Sequence, residues 1–401
     1  MTPPAVHTLV EHPGNPPDAR DVVVLVHGTY QPEAAWTLPA SVLSQEVRRA
    51  LPDAGLYRFR WTGRNSHQAR LAAGAALRAE LTRLRGACDT RRLGVVTHSH
   101  GGNVLMYALG QGDARVDGAV CMATPFLYVR ETGNRLSFWD RYFIVLITAL
   151  GLVGLWWAAV AAWRAGFYID AVLLYAFCLV ALVVLSAFVA AVARHGTASR
   201  SWPLALPTLP QETLLLLRPT GDEAAGGLGA AHLASLVLEV IWRHGRRIVQ
   251  TLATVVLSSI AGIAALKLAS GWLATRASDT IARAHDVVIL AFIAGQVVVG
   301  LLAVGLLTTM ALCQCAFGRD ALVLTLRAIT SVEDSPPGVQ TVHQIQMERD
   351  PHAPAALDHS RLYSDAKVIG EVVAFLRQRL RGGLDATFAT GGADEGTQGR
   401  A

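Results

Sequence analysis

Four apolar stretches do most to limit what this chain can fold into. Residues 142–163, 168–193, 248–272 and 287–313 are nearly free of charge. A helix of about 20 such residues crosses the hydrocarbon core of a bilayer, whereas apolar helix segments buried in a globular core are usually shorter. The whole chain agrees with a membrane reading: 52% of its 401 residues are hydrophobic, only 16% are charged, and the mean hydropathy is +0.37. The runs come as two hairpins, the first closed by a tight turn at residues 164–167. A hairpin returns the chain to the side it left, so every other segment is expected on one face of the membrane. Arginines 130, 135, 141, 194, 200, 243, 246, 247 and 319 flank the runs on that side, while Arg164, Lys267, Arg276 and Arg283 lie towards the other. The positive-inside rule then makes the rest of the chain cytoplasmic, giving an integral membrane protein with four spans.

Between the hairpins the pattern is one of strands and helices in alternation. Val22 to Val26 is an unbroken apolar run, as in a strand buried on both faces. It ends in His27-Gly28-Thr29-Tyr30, and a helix is expected at about 40–51. Residues 56–60 read as a strand with one wet face, because Arg58 and Arg60 alternate with apolar positions, and Trp61 after it reads as a packing residue. A long helix with Leu71, Leu77, Leu81 and Leu84 at helical spacing covers about 66–85. Further strands follow at 93–98, 116–123 and 213–217, with helices at about 228–242 and 365–381. The sheet pattern resumes at 322–332, and a last strand is expected at 339–345. Such alternation marks a parallel α/β sheet. The resulting division is a polar leader at 1–20, sheet-forming parts at 21–135, 196–245 and 319–381, hairpins at 136–195 and 246–318, and a disordered tail at 382–401.

One stretch carries chemistry. Leu93 to His98 reads as a strand, Ser99 follows, and Gly101-Gly102 lead into a helix-forming segment. A strand turning sharply into a helix at a serine is the recipe for a nucleophile elbow, which needs small residues two places either side of the serine. Gly101 meets that need; Thr97 stands where the G-x-S-x-G pattern has its first glycine. The bland alternative is a strand-to-helix turn with a capping serine. A serine nucleophile needs a base to take its proton, a carboxylate to orient that base, and donors for the oxyanion. Asp222 follows the strand at 213–217, and Asp358-His359-Ser360 lies in a loop before the final helix, so the chain supplies the order Ser, Asp, His. Glu223 and Asp334 remain open as the acid, and His343 and His352 compete with His359, which alone sits close before the last helix.

These residues make the chain resemble the serine esterases and lipases of the α/β-hydrolase superfamily, with the nearest likeness to GPI-inositol-deacylase-like and related serine esterase domains. The likeness rests on residues 22–28, 61–65, 97–103, 221–224 and 359–363 and does not extend to the apolar runs. It implies an α/β fold with an α/β-hydrolase sheet, which the apolar runs are expected to interrupt as two transmembrane helical hairpins. It also implies Ser99 as nucleophile, His359 as general base and Asp222 as acid, with oxyanion donors from the backbone N–H groups of His100 and of Thr29 or Tyr30.

The expected activity is hydrolysis of a carboxylic ester, of a lipid or another hydrophobic acyl compound, with the first hairpin standing where hydrolases of this fold often carry a lid. Acyl transfer or thioester hydrolysis would use the same triad, and a membrane scaffold with a degenerate hydrolase domain is the reading from a different class. No cofactor is implied. His27, His98 and His100 lack the carboxylate or cysteine that would complete a metal set. The formal charge of +5 is spread without a Lys/Arg block, which argues against nucleic acid as a partner and leaves the membrane and a hydrophobic ester. Five cysteines show neither a disulfide framework nor zinc spacing, and the first 20 residues lack the apolar core of a secretory signal.

Overall fold

The computed structural model describes residues 7–87, 92–110, 114–131, 206–220, 222, 311–318, 328–339, 341–346 and 358–381, with scattered positions at 226–237 and at 160, 254, 305, 308 and 309. The expected hairpins and the tail at 382–401 lie outside the described residues, apart from the last turn of the fourth run and the scattered positions. Among the described residues no helix is long and apolar enough to cross a membrane.

The frame is a seven-stranded mixed sheet. Its strands are β1 (Thr8–Glu11), β2 (Asp21–Val26), β3 (Ala54–Arg60), β4 (Arg92–His98), β5 (Gly118–Met122), β7 (Leu214–Pro219) and β9 (His343–Ile345), in the spatial order β1-β3-β2-β4-β5-β7-β9. All neighbours run parallel except β1, which lies antiparallel on β3. This mixed α/β sheet is consistent with an α/β-hydrolase-like fold. β2, β4 and β5 are near-continuous apolar runs because both of their faces are covered. On one face Val22, Val24, Val26, Leu93 and Val95 pack under α2 (His67–Ala87) and α3 (Gly101–Leu109). On the other, Val23, Leu25, Val96 and Val120 meet α1 (Val42–Ala50) and α5 (Ala366–Arg381). The two-residue alternation of a strand divides the two sets.

The helix ends follow from local chemistry. Ser41 accepts the Ser44 N–H at 3.1 Å and caps α1. Asp365 does the same for α5, accepting the N–H groups of Lys367 and Val368 at 2.9 and 3.2 Å. The α5 stripe Val368, Val372, Leu376 and Leu380 is buried at i, i+4 spacing.

Three features depart from expectation. The segment read as a polar leader contributes β1, and Asn15 extends its hold on β3 by exchanging two 3.0 Å bonds with the Leu56 backbone. The pattern at 322–332 does not rejoin the main sheet: β8 (Ala328–Glu333) pairs antiparallel with β6 (Phe126–Glu131) in a separate ribbon. Asn103 holds β6 aside, donating to the Pro125 carbonyl at 2.7 Å and accepting the Leu127 N–H at 3.0 Å. Finally, the loop expected around His359 is a four-residue helix, α4 (Asp358–Arg361), anchored by the fully buried Leu362.

The end of the fourth apolar run docks against the start of α2. Arg70, fully buried, donates to the Phe317 carbonyl at 2.8 Å and to Asn65 Oδ1 at 2.9 Å, and Asn65 donates to the Cys315 carbonyl at 3.0 Å. A cation and an amide thus satisfy carbonyls at a helix C-terminus.

Candidate functional site

Ser99 sits where β4 turns into α3 and has φ +53°, a left-handed conformation that a non-glycine residue adopts only when its surroundings impose it. Its N–H donates to the Met122 carbonyl at 2.9 Å, and its own carbonyl accepts the Gly102 N–H at 3.0 Å. The turn is tight enough to exclude side chains nearby. A Cβ on Gly101 would lie 2.6 Å from the Val26 carbonyl oxygen. One on Gly28 would lie 2.9 Å from Ser99 Cβ, so the loop after β2 closes directly onto the serine. Thr97, where the motif has its first glycine, is absorbed: it is fully buried, and its hydroxyl donates to the Val120 carbonyl at 3.1 Å.

His359 and Asp222 come together across 137 positions of sequence. His359 Nδ1 lies 3.1 Å from Asp222 Oδ1, with the two side chains 15% and 4% exposed. A carboxylate only accepts, so Nδ1 carries the proton and Nε2 is left for other work. Among the described residues Ser99 Oγ makes no hydrogen bond to His359. The link runs instead through the residue before the serine: the His98 and His359 rings lie 4.9 Å apart, and His98 Nε2 is 2.9 Å from the His359 carbonyl oxygen.

The competing residues are engaged elsewhere. Asp334 forms an ion pair with Arg218, and His343 Nδ1 faces Glu371 Oε2 at 3.4 Å on the exposed end of the sheet. Glu223 and His352 lie outside the described residues. Of the backbone donors named in the sequence, Tyr30 N–H is engaged with the Gly63 carbonyl at 2.7 Å. Thr29 and His100 N–H groups have no partner among the described residues.

His27, weighed in the sequence only as a metal ligand, has a structural task. Its Nδ1–H donates to the Gly28 carbonyl at 2.8 Å, its Nε2 accepts the Trp61 N–H at 3.2 Å, and the Trp61 ring stacks on it at 5.5 Å. A trans peptide holds its C=O and N–H antiparallel, so fixing the Gly28 carbonyl turns the Thr29 N–H the opposite way. Burial lowers the His27 pKa and pushes His98 to about 3. Burial, reinforced by the charges of Arg70 and His359, holds His100 well below the ordinary imidazole range. These three rings are therefore neutral, with their tautomers set by neighbours. Among the described residues no three His, Cys, Asp or Glu side chains gather as a metal site.

No family model and no curated protein matches the chain. Among solved structures it is similar to a monoacylglycerol lipase of Paleococcus ferrophilus, at 19% identity over 35% of this chain and 50% of that one, with a TM-score of 0.21. The chain thus spans about half the length of that lipase, and a likeness this slight carries no weight beside the strand order.

Proposed function

We propose that this protein is a membrane-embedded serine hydrolase that cleaves carboxylic esters with hydrophobic acyl groups. The observation that carries the reading is the 3.1 Å His359–Asp222 contact lying beside the strained Ser99 elbow. Ser99 Oγ attacks the ester carbonyl while His359 Nε2 takes its proton. The Asp222 carboxylate, 4% exposed, stabilises the imidazolium that forms. The oxyanion accepts from the His100 and Thr29 N–H groups. The imidazolium then protonates the departing alkoxide, and an acyl ester on Ser99 remains. Water attacks that ester, giving its proton to His359; the carboxylic acid leaves and Ser99 recovers its hydrogen.

The substrate class follows from where the apolar stretches join. The chain leads into 136–195 after β5 and β6 and into 246–318 after β7, and the carboxyl ends of β5 and β7 share an edge of the sheet with Ser99. With both hairpins spanning the bilayer and the hydrolase domain cytoplasmic, the site opens close to the membrane surface and takes an amphiphilic ester from it. The first hairpin then serves as the lid. Labelling of the full chain by a fluorophosphonate probe, abolished in Ser99→Ala, tests the reading. A wild-type chain left unlabelled beside a labelled control esterase would remove it.

A further inference from the structure

We propose that His98 is a positioning residue for this reaction, setting the place of the base relative to Ser99 by donating its Nε2–H to the His359 carbonyl. The inference rests on the hydrolase reading above and adds a residue to it. Strand alternation puts His98 on the same face as Val96, the face packed by α1 and α5, directly under α4. The ring is 3% exposed and enclosed by Tyr363, edge-on at 5.2 Å, Trp36 at 6.2 Å and His359 at 4.9 Å.

Packing alone does not account for an imidazole here. A carbonyl oxygen only accepts, so the 2.9 Å contact places the proton on Nε2. The neutral ring then has a bare acceptor at Nδ1, which finds no hydrogen-bond partner among the described residues. A buried unpaired polar atom is destabilising, a penalty that an apolar ring would avoid. What the imidazole supplies in return is one directed donor. That donor matters because α4 is a four-residue helix, too short to hold its own geometry. His359 is held at two points, its carbonyl by His98 and its Nδ1 by Asp222. One of those points belongs to the residue bonded to the nucleophile. A shift at the end of β4 therefore carries serine and base together, and their separation is kept.

The test compares His98→Gln, which keeps an N–H donor, with His98→Met, of equal length and without one. His98→Phe keeps the ring bulk and repeats the donor-free arm if Met disturbs folding. In the detergent-solubilised full chain the readouts are fluorophosphonate labelling rate, kcat and KM on p-nitrophenyl butyrate, and hydrogen exchange of peptides covering 358–364. We expect the donor-free variants to lose about 10- to 100-fold in kcat and labelling rate with KM little changed, since misplacement of the base acts on the transition state. Exchange at 358–364 should rise with them, and Gln should restore both most of the way. Equal losses in Gln and Met, or wild-type rates in the donor-free variants, would overturn the proposal. An unlabelled wild type would instead remove the hydrolase reading, and exchange at 358–364 would still decide whether His98 holds the turn.

Discussion

The closest steric test of the site is Gly28→Ala. A methyl group there would stand 2.9 Å from Ser99 Cβ, 3.0 Å from the His98 carbonyl oxygen and 3.5 Å from Ser99 Oγ. Two carbons in comfortable contact are about 3.5–4.0 Å apart, so the pair falls short by roughly 0.6–1 Å. Neither partner can yield easily. Ser99 is held on both sides by backbone bonds to Met122 and Gly102, and the Gly28 carbonyl is held by His27 Nδ1 at 2.8 Å. The displacement must therefore open the gap between the serine and the Thr29 N–H. A misplacement of about 1 Å at a reacting centre lowers the rate about 100-fold, equivalent to about 2.7 kcal/mol of barrier. Overpacking of this kind also destabilises by about 1–3 kcal/mol. Stopped-time labelling with a fluorophosphonate, read beside thermal unfolding followed by far-UV circular dichroism, separates the two effects. Gly28→Ala labelling at the wild-type rate while folding normally would refute both the close approach and the oxyanion assignment built on it.

Asp222→Asn, Ser99→Ala and His359→Ala should each lower esterase activity by about three orders of magnitude or more, and pairing the last two should add little, because the residues act as a unit; an active Asp222→Asn would return Glu223 to consideration. Because burial pushes the His98 pKa to about 3 against an ordinary 6.5, the unfolded chain binds the proton first, so this stability is full above pH 6.5 and lost as pH falls towards 3. Between about pH 6.5 and 5 that loss is about 2 kcal/mol, and denaturant titrations should show a flatter pH dependence in His98→Gln; equal slopes would show that His98 is not buried neutral. Topology reporters fused at Arg20 and after Arg381 should both read cytoplasmic, and an external signal from either would end the four-span reading. Replacing 138–194 by a Gly/Ser linker should spare hydrolysis of a short soluble ester and depress kcat/KM for a long-chain one, since apolar binding at the mouth is used to reach the transition state; equal losses would reduce the hairpin to an anchor.

What could be read from the sequence and what could not divide along a physical line. Strands β2, β4 and β5 announce themselves because both faces are buried and the residues are apolar without interruption. Asp222 and His359, 137 positions apart, could be singled out because Asp222 follows a plain strand and His359 lies close before a plain helix. β1 left no such trace: Thr8-Leu9-Val10-Glu11 is four residues in a proline-rich stretch, and it is a strand only because β3 and Asn15 offer it partners. The pattern at 322–332 did not reveal its ribbon with β6 for a similar reason, since a strand pattern does not say which sheet it joins, and the two Asn103 bonds that hold β6 aside run to backbone atoms. The tasks of His27 and His98 were hidden likewise, because both rings act on the carbonyls of other residues. The choice between Thr29 and Tyr30 needed the Gly63 carbonyl, 33 positions beyond Tyr30 and contiguous with it only in the folded chain.

The inserted stretches join at places that leave the sheet undisturbed. β5 and β7 are direct parallel neighbours, Ala119 opposite Leu214, although the first apolar pair lies between them in sequence. β7 and β9 likewise pair, Leu217 opposite His343, across the second. Each insertion therefore occupies a crossover, and a crossover between parallel strands must leave from a carboxyl end. In open α/β sheets that edge is also where ligands bind, because loops there vary without cost to the core. Ser99 after β4, Thr29 after β2, Asp222 after β7 and His359 after β9 all follow strands at the same edge. Strand direction alone thus brings the candidate site and the carboxyl ends of β5 and β7, the strands that precede the two apolar pairs in sequence, to one edge of the sheet. On the proposed reading, that shared edge is why an ester carried in a bilayer, rather than one free in water, suits this chain.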